Sequence, residues 1–275
     1  MKQSEDSLVE QKSGEAPWTI QQTFLGIILT LVPWIVLVVS LGSGNNAPGT
    51  RPLSPRLDLI NAIVIFFLSS LIEGAFLIAP LYFANRALRY IAQHSRSAWQ
   101  ALGLKKFNVG QALGWIVVFI PVIFAVDILY QYIITVLHLN LQTNDQVILA
   151  RSKLEPISTY ATLCVAVFIA PFCEEVFFRG FVLTGLLHRM PVGWAIVLSA
   201  LLFATAHLDP GSFAVLFIIG LALGFLRWRT DSLWPGIVLH AINNGVGAVS
   251  IILVMQGVTK SERSLAICPP DSRGI

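Results

Sequence analysis

One stretch of the sequence, residues 157–187, reads ISTYATLCVAVFIAPFCEEVFFRGFVLTGLL and decides the fold class. It is long enough to cross a membrane, because a spanning helix needs roughly 20 mostly apolar residues. Yet it contains three charged residues, Glu174, Glu175 and Arg179. An ionisable residue at the bilayer centre costs roughly 2.5–3.5 kcal/mol on insertion scales, so it normally faces the bundle interior and has a partner or a function. The stretch therefore predicts a transmembrane helix that contributes to a buried polar site.

The composition of the whole chain is that of a membrane protein. Of its 275 residues, 55% are hydrophobic and 12% are charged, whereas a soluble domain usually carries about 25% charged residues. So few charges cannot cover a globule in water, and they argue against a disordered, fibrous or nucleic-acid-binding protein. The three cysteines, Cys164, Cys173 and Cys268, do not form a disulfide framework. We expect an integral membrane protein whose surroundings are the lipid bilayer.

Seven hydrophobic segments predict an all-α, polytopic bundle of transmembrane helices, separated by loops rich in Gly, Pro, Asn and charge. The fifth and sixth segments, at 16 residues each, would reach only about 24 Å of a hydrocarbon core of about 30 Å. We expect a polar N-terminal segment (1–23), a bundle (24–255) and a polar C-terminal tail (256–275). The predicted segments are residues 24–41, 59–83, 110–137, 157–187, 192–207, 211–226 and 233–255.

Basic residues in alternate loops predict the orientation of the bundle. The loop after the second segment contains five basic residues and no acidic residue: Arg86, Arg89, Arg96, Lys105 and Lys106. Further arginines lie in the next two loops on the same predicted side: Arg189, Arg227 and Arg229. The N-terminal segment lacks the basic region of a secretory signal peptide, so we expect the first helix to be retained. These features predict a multi-pass protein of a bacterial-type plasma membrane with a cytoplasmic N-terminus.

The two acidic residues of the fourth segment differ in their helical position. Glu175 and Arg179 are four residues apart, so they share a helix face and can form an ion pair. That pair alone could be a structural salt bridge. Glu174 points about 100° away around the helix, where no residue of its own helix can pair with it. A desolvated carboxylate without a cation is a candidate general base, so Glu174 is the first functional candidate.

Two histidines and an asparagine lie at a similar predicted depth. His207 ends the fifth segment just before Asp209-Pro210-Gly211, while His240 and Asn244 are four residues apart on the last segment. Counted from the predicted cytoplasmic ends, these residues and Glu174 lie at depths of roughly 12–24 Å. We therefore expect one carboxylate, two imidazoles and one amide to converge on a catalytic or ion-binding site inside the membrane.

Three motifs in this order resemble those of the CPBP family: Glu174-Glu175-x-x-x-Arg179, Phe203-x-x-x-His207 and His240-x-x-x-Asn244. This family comprises the CAAX prenyl endopeptidases of the Ras-converting type and their bacterial relatives, some of them linked to bacteriocin processing or self-immunity. The resemblance extends over about residues 157–254. It implies an intramembrane endopeptidase that cleaves a membrane-associated or membrane-tethered peptide or protein.

The resemblance also implies roles for the motif residues. Glu174 and His207 would activate a water molecule that attacks the scissile carbonyl group, and His240 and Asn244 would stabilise the resulting oxyanion. The Glu175–Arg179 pair would be supporting.

The sequence allows two interpretations of whether the site requires a metal ion. Family members are often described as metalloproteases, and a metal-free glutamate mechanism is also argued for them. If zinc is present, its ligands would be Glu174, His207 and His240, which leave a fourth position open. Because no His-Glu-x-x-His helix is present, we expect no tightly bound metal, while zinc stays an open alternative.

Other chemistries are weaker interpretations of the same residues. Cys173 is a rival nucleophile, but an apolar and acidic neighbourhood disfavours a thiolate. Glu73 and Asp127 lie outside the motifs, and each is either a structural partner or part of a proton path. A non-catalytic scaffold or a bacteriocin-immunity-like protein is the main alternative function. A transporter is disfavoured because the polar cluster has no counterpart in the N-terminal half.

Overall fold

A computed structural model describes residues 16–42, 52–90 and 97–267. Within these ranges every secondary-structure element is helical, and six helical stretches are long and apolar enough to span a membrane. The predicted polytopic helical bundle is thereby confirmed. Most of the predicted N-terminal segment, the loop after the first helix and Cys268 lie outside the described residues.

Twelve α-helices follow one another in the described ranges, and several of them join into longer rods. A 3-10 turn at Ala75–Leu77 joins α2 to α3, and π-helical segments at Val165–Ile169 and Val176–Leu183 join α7, α8 and α9. We call the first of these assemblies the α2–α3 rod and the second the α7–α9 rod. The helices are α1 (Ile20–Gly42), α2 (Pro55–Gly74), α3 (Ile78–Tyr90), α4 (Ala98–Leu102), α5 (Val109–Val136), α6 (Asn144–Ser152), α7 (Pro156–Cys164), α8 (Ala170–Glu175), α9 (Thr184–Leu186), α10 (Val192–Ala206), α11 (Phe213–Thr230) and α12 (Trp234–Ile267).

The lengths of the last three helices differ in part from the sequence prediction. Of the two predicted short segments only α10 is short, with 15 residues. Helix α11 has 18 residues, because Arg227 does not end it. The Arg227 guanidinium is buried and donates to Asp231 at 2.9 Å. Because its charge is paired there, the helix continues past this residue. Helix α12 extends to Ile267, well past the predicted end of its apolar segment.

A polar cluster joins three chain segments at one end of the bundle. Asp231 pairs with Arg227 and also with Lys105, which lies in the loop after α4. Arg227 further donates to the hydroxyl group of Thr184 at the start of α9. The loop after α4 therefore lies at the same end as the C-termini of α9 and α11, as the predicted alternation of basic loops requires. The side of the membrane on which this end lies stays a prediction.

The start of α7 is held by a buried carboxylate from another helix. Asp58 of α2 accepts hydrogen bonds from the backbone N–H groups of Ile157 at 2.7 Å and Ser158 at 3.0 Å, and from the Ser158 hydroxyl group at 2.6 Å. The first N–H groups of a helix have no partner inside it, and a negative charge is favourable at a helix N-terminus. Asp58 thus fixes the position of the rod that carries the acidic pair.

Small residues bring α10 and α11 close together. A Cβ atom added to Gly220 would lie 2.9 Å from the Cβ atom of Ala200 and 3.0 Å from its Cα atom. Helices in membranes often associate through such small residues, which permit close packing of the backbones. This contact places the C-terminal end of α10, and with it His207, against the interior of the bundle.

We predict that Asp58→Ala lowers the free energy of unfolding by at least about 2 kcal/mol. The substitution removes the charged acceptor and leaves the donor groups of Ile157 and Ser158 buried without a partner. Ser54→Ala is the matched control. It removes an exposed cap at the start of α2 that accepts from Leu57 at 3.4 Å, and should cost less than about 1 kcal/mol. Denaturant unfolding in mixed micelles measures both. Equal losses in the two variants would contradict the role assigned to Asp58.

Candidate active site

Glu174 lies on α8, between the two π-helical segments of the α7–α9 rod. A π-helical turn changes the direction in which the following side chains point, and such turns are frequent at functional sites. The Glu174 side chain is 12% exposed, and its Oε2 atom is buried without a hydrogen-bond partner among the described residues. A buried carboxylate oxygen that no protein donor satisfies is costly, so its presence here calls for a chemical explanation.

Both predicted histidines point at this oxygen. The Nε2 atom of His207, which follows the last residue of α10, lies 3.8 Å from Glu174 Oε2. The Nε2 atom of His240 on α12 lies at the same distance of 3.8 Å. The structure therefore brings Glu174, His207 and His240 together from three different helical elements. These are three of the four residues that the sequence predicts to converge.

The other ring nitrogens of the histidines indicate which proton each ring carries. His207 Nδ1 lies 2.8 Å from the carbonyl oxygen of Phe203, and His240 Nδ1 lies 3.3 Å from Glu175 Oε1. An oxygen acceptor opposite Nδ1 favours the tautomer with the proton on that atom. In neutral rings, the two Nε2 atoms are then hydrogen-bond acceptors. Three acceptor atoms, Glu174 Oε2 and both Nε2 atoms, thus face one another.

The predicted ion pair is present directly behind this group. Arg179 Nη1 donates to Glu175 Oε1 at 2.7 Å, and both side chains are 0% exposed. Glu175 Oε1 also faces His240, so the carboxylate links the cation to the imidazole. Close approach of α12 depends on Gly236, because a Cβ atom there would lie 2.9 Å from Glu175 Oε2. The pair therefore supports His240 by direct contact, and its two charges also interact with that of Glu174.

Arg179 also connects the α7–α9 rod to helices α10 and α11. Its Nη2 atom donates to the carbonyl oxygen of Gly220 on α11 at 3.2 Å. The guanidinium group lies 4.3 Å from the ring centroid of Phe203 on α10. That same ring packs against both histidines, with centroid distances of 4.5 Å to His207 and 5.5 Å to His240. A cation over an aromatic face is favourable, and more so where water is excluded.

The resemblance assigns Asn244 to the oxyanion, whereas its nearest hydrogen-bond partner in the structure is a backbone carbonyl group. Its Nδ2 atom donates to the carbonyl oxygen of Ala166 at 2.9 Å, within the first π-helical segment. The side chain is half-buried and lies one helical turn beyond His240. An amide nitrogen carries two hydrogen atoms, so this bond uses one of them. Asn244 therefore holds the irregular backbone before Glu174 and keeps one donor for another acceptor.

Glu73 lies beside the site, although no motif includes it. It is the penultimate residue of α2, before the 3-10 turn, and its Oε2 atom is buried without a partner among the described residues. It is close enough to Glu174 for the two charges to interact. In the sequence it stands out as a charged group inside an apolar span, which left open whether it is a structural partner or part of a proton path. Cys173 is a buried free thiol near the same two carboxyl groups, which is unfavourable for a nucleophilic thiolate.

Asp127 belongs to a separate acidic group. It interacts electrostatically with Asp145 on α6, and so does Asp209 at the corner between α10 and α11. Desolvation and these two charges raise the pKa of Asp145 above its usual value. Asp209 is already occupied, because it accepts from the backbone N–H groups of Asn144 and Ser212. Asp209 also interacts electrostatically with His207, so this acidic group borders the site at that histidine.

The fit of a metal ion to the site can be tested on its distances. Two imidazoles and one carboxylate are ligands that zinc accepts. Tetrahedral ligands at about 2.1 Å from the metal lie about 3.4 Å from one another, whereas Glu174 Oε2 is 3.8 Å from each Nε2 atom. Among the described residues no group of three His, Cys, Asp or Glu side chains is arranged to hold a metal ion. The arrangement does not fit a metal as it stands.

Fold and site together define a polytopic membrane protein with a buried carboxylate–histidine centre. Residues 156–246 match the family model described as type II CAAX prenyl endopeptidase, Rce1-like. The match contains all three motifs, so the resemblance predicted from them is confirmed for this part of the chain. At the level of the family, it supports a CAAX-type intramembrane protease.

The remaining comparisons concern individual proteins. An uncharacterized protein of Mycoplasma capricolum subsp. capricolum is 30% identical over 142 residues, which cover 47% of this chain and 40% of that protein. The chain thus spans less than half the length of this relative. No solved structure matches the chain.

We predict that Arg179→Met destabilises the protein by about 3–5 kcal/mol, because it leaves the Glu175 carboxylate buried without a cation. Adding Glu175→Gln to the same chain should recover much of that loss, since the remaining charge is removed as well. Denaturant unfolding of the single and double variants measures the difference. A double variant no more stable than Arg179→Met would show that the two side chains are not coupled.

Proposed function

We propose that this protein is an intramembrane endopeptidase that hydrolyses a peptide bond of a membrane-associated or membrane-tethered substrate. The observation that carries the proposal is the group of three acceptor atoms, with Glu174 Oε2 lying 3.8 Å from Nε2 of His207 and of His240. The family match over residues 156–246, which contains these residues, supports the same reaction class.

Acceptors at this spacing suit a bridging water molecule. A separation of 3.8 Å is too long for a direct hydrogen bond, and polar atoms separated by more than 3.5 Å are often bridged by water. A water molecule can donate to Glu174 Oε2 and to His207 Nε2 at the same time. Both atoms can also accept a proton outright, so the water becomes a nucleophile where it is bound.

The reaction then proceeds in two steps. The water oxygen attacks the scissile carbonyl carbon while its proton passes to Glu174, which gives a tetrahedral intermediate with a negatively charged oxygen. The C–N bond then breaks, and Glu174 returns the proton to the leaving nitrogen atom. Because one carboxyl group accepts and then donates the same proton, the site returns to its starting state.

His240 and Asn244 are proposed to stabilise the negatively charged oxygen. Asn244 has a second amide hydrogen atom besides the one that it donates to Ala166. His240 takes this role when its ring has taken up a proton from solvent before the substrate reacts: Nε2 then donates to the oxyanion, and Glu175 opposite Nδ1 balances the positive charge. A carboxylate behind a histidine has the same orienting effect in serine proteases. Donors fixed in place where charge develops are a major source of rate enhancement.

An apolar groove on the bundle supports a membrane-tethered substrate. An apolar groove lies between α1 and the α2–α3 rod, and its lining includes Leu29, Trp34, Phe76 and Tyr82. The Phe76 ring contacts Phe177 and Phe178, which follow the acidic pair on the α7–α9 rod. We propose that the apolar anchor of a membrane-tethered substrate lies in this groove. We also propose the cytoplasmic N-terminus and the bacterial-type plasma membrane predicted above.

We predict that Glu174→Gln lowers kcat by roughly 10²–10⁴-fold, the usual contribution of a general base, while the variant keeps its thermal stability. The measurement is cleavage of a panel of membrane-tethered peptides by purified protein in micelles. Asp127→Asn is the matched control, since it also neutralises an acid inside a span but lies in the separate acidic group. It should cleave at the wild-type rate.

The same assay run with a metal chelator tests the chemistry. Cleavage that survives chelation supports a water activated by Glu174 and His207 without a metal ion. Loss with chelator and recovery with zinc would overturn the proposed mechanism and assign Glu174, His207 and His240 to a metal site. Wild-type turnover by Glu174→Gln would refute the role of Glu174. The non-catalytic scaffold would be favoured if the wild type cleaves no peptide and if joint replacement of Glu174, His207 and His240 causes no phenotype.

A further inference from the structure

The corner that follows α10 has a carbonyl group that its own helix cannot satisfy. In a continuing helix, the carbonyl oxygen of Ala206 would accept from the N–H group of residue 210. Residue 210 is a proline, which has no N–H group. The chain also turns away here, because Leu208 has a φ of 49°, an uncommon value for a residue with a side chain. A buried carbonyl oxygen at this depth needs a donor from elsewhere.

The indole N–H group of Trp34 is that donor. Trp34 lies on α1, and its Nε1 atom donates to the Ala206 carbonyl oxygen at 3.0 Å across 172 residues of sequence. Its ring packs edge-on against Phe76 of the 3-10 turn, with centroids 5.3 Å apart. A bicyclic ring held in this way offers its N–H group in one direction only. Helix α1 therefore contacts the corner through a single directed bond.

This bond acts on the peptide plane next to the catalytic imidazole. The carbonyl group of Ala206 and the nitrogen atom of His207 belong to one planar peptide unit. Fixing the carbonyl group thus fixes the backbone from which the His207 side chain projects. The ring itself is held by Nδ1, which lies 2.8 Å from the Phe203 carbonyl oxygen. His207 is consequently held at two points, one on its own helix and one from α1.

We propose that Trp34 is a positioning residue for His207, which it holds at Glu174 through the hydrogen bond to the Ala206 carbonyl group. The kinetic consequence of this inference rests on the proposed function, whereas its structural consequence does not. No catalytic motif includes α1, so Trp34 would extend the catalytic apparatus to the first span of the bundle.

The test removes the N–H donor and keeps the ring. Trp34→Phe does so with a smaller ring. Replacement of the Trp34 indole by benzothiophene keeps the bicyclic shape, removes only the N–H group and serves as the second variant if Trp34→Phe does not fold. Trp194→Phe is the matched control, because Trp194 lies on α10 itself but is 67% exposed.

The first readout is the ring Cε1–H resonance of His207 in full-length protein labelled with ¹³C-histidine in micelles. It is assigned by its loss in His207→Gln. We expect this resonance to move in both Trp34 variants and to stay in place in Trp194→Phe, with a smaller change for His240. An unmoved His207 resonance would overturn the proposal, as would an equal movement of His240 or an equal effect of Trp194→Phe.

The second readout is kinetic and uses a membrane-tethered peptide that the wild type cleaves. It is read in the benzothiophene variant, which keeps the bicyclic ring that lines the apolar groove. We expect kcat to fall at least about tenfold, with KM changed less than about threefold, because a misplaced catalytic group slows the chemical step while binding is retained. An unchanged kcat beside a moved resonance would also overturn the proposal. If the wild type cleaves no peptide, the proposed function fails, and the resonance of His207 still decides the role of Trp34.

Discussion

The buried ion pair between Glu175 and Arg179 is the interaction on which the rest of the site depends. Neither charge can exist alone in a membrane interior, because removing one partner leaves the other desolvated and unpaired. Each member also binds a second helix: Glu175 faces His240 on α12, and Arg179 donates to the Gly220 carbonyl group on α11. These contacts from the α7–α9 rod to α11 and α12 together fix how the helices pack around the ion pair.

Irregular backbone is the second common feature of the site. The π-helical segments and the corner after α10 leave carbonyl groups without partners from their own helix, and no water competes for them inside a bilayer. Side chains satisfy these groups instead, and most of those side chains belong to the motifs. The motif residues therefore hold the backbone as well as line the site. The pairs are Asn244 with Ala166, His207 with Phe203, and Trp34 with Ala206.

Local sequence patterns predicted the spans and the ion pair within one helix. They did not predict contacts between residues far apart in the sequence. Apolar length predicted the spans, and a spacing of four residues predicted the Glu175–Arg179 pair, because both depend on one helix alone. Composition did not reveal that Arg227 stays within α11, since its partner Asp231 lies beyond the predicted end of that segment. The bond from Trp34 to Ala206 depends on how helices far apart in sequence pack. No periodicity encodes such a contact.

The cap that Asp58 provides has a consequence for how the protein is made. Asp58 receives its donors from Ile157 and Ser158, which lie 99 and 100 residues further along the chain. While the ribosome is still making the intervening helices, this carboxylate is in the nascent chain without its native partners. An unpaired carboxylate is costly to bury, so this end of α2 reaches its final surroundings only after α7 has been made. The packing of α2 against α7 therefore waits for the synthesis of α5 and α6.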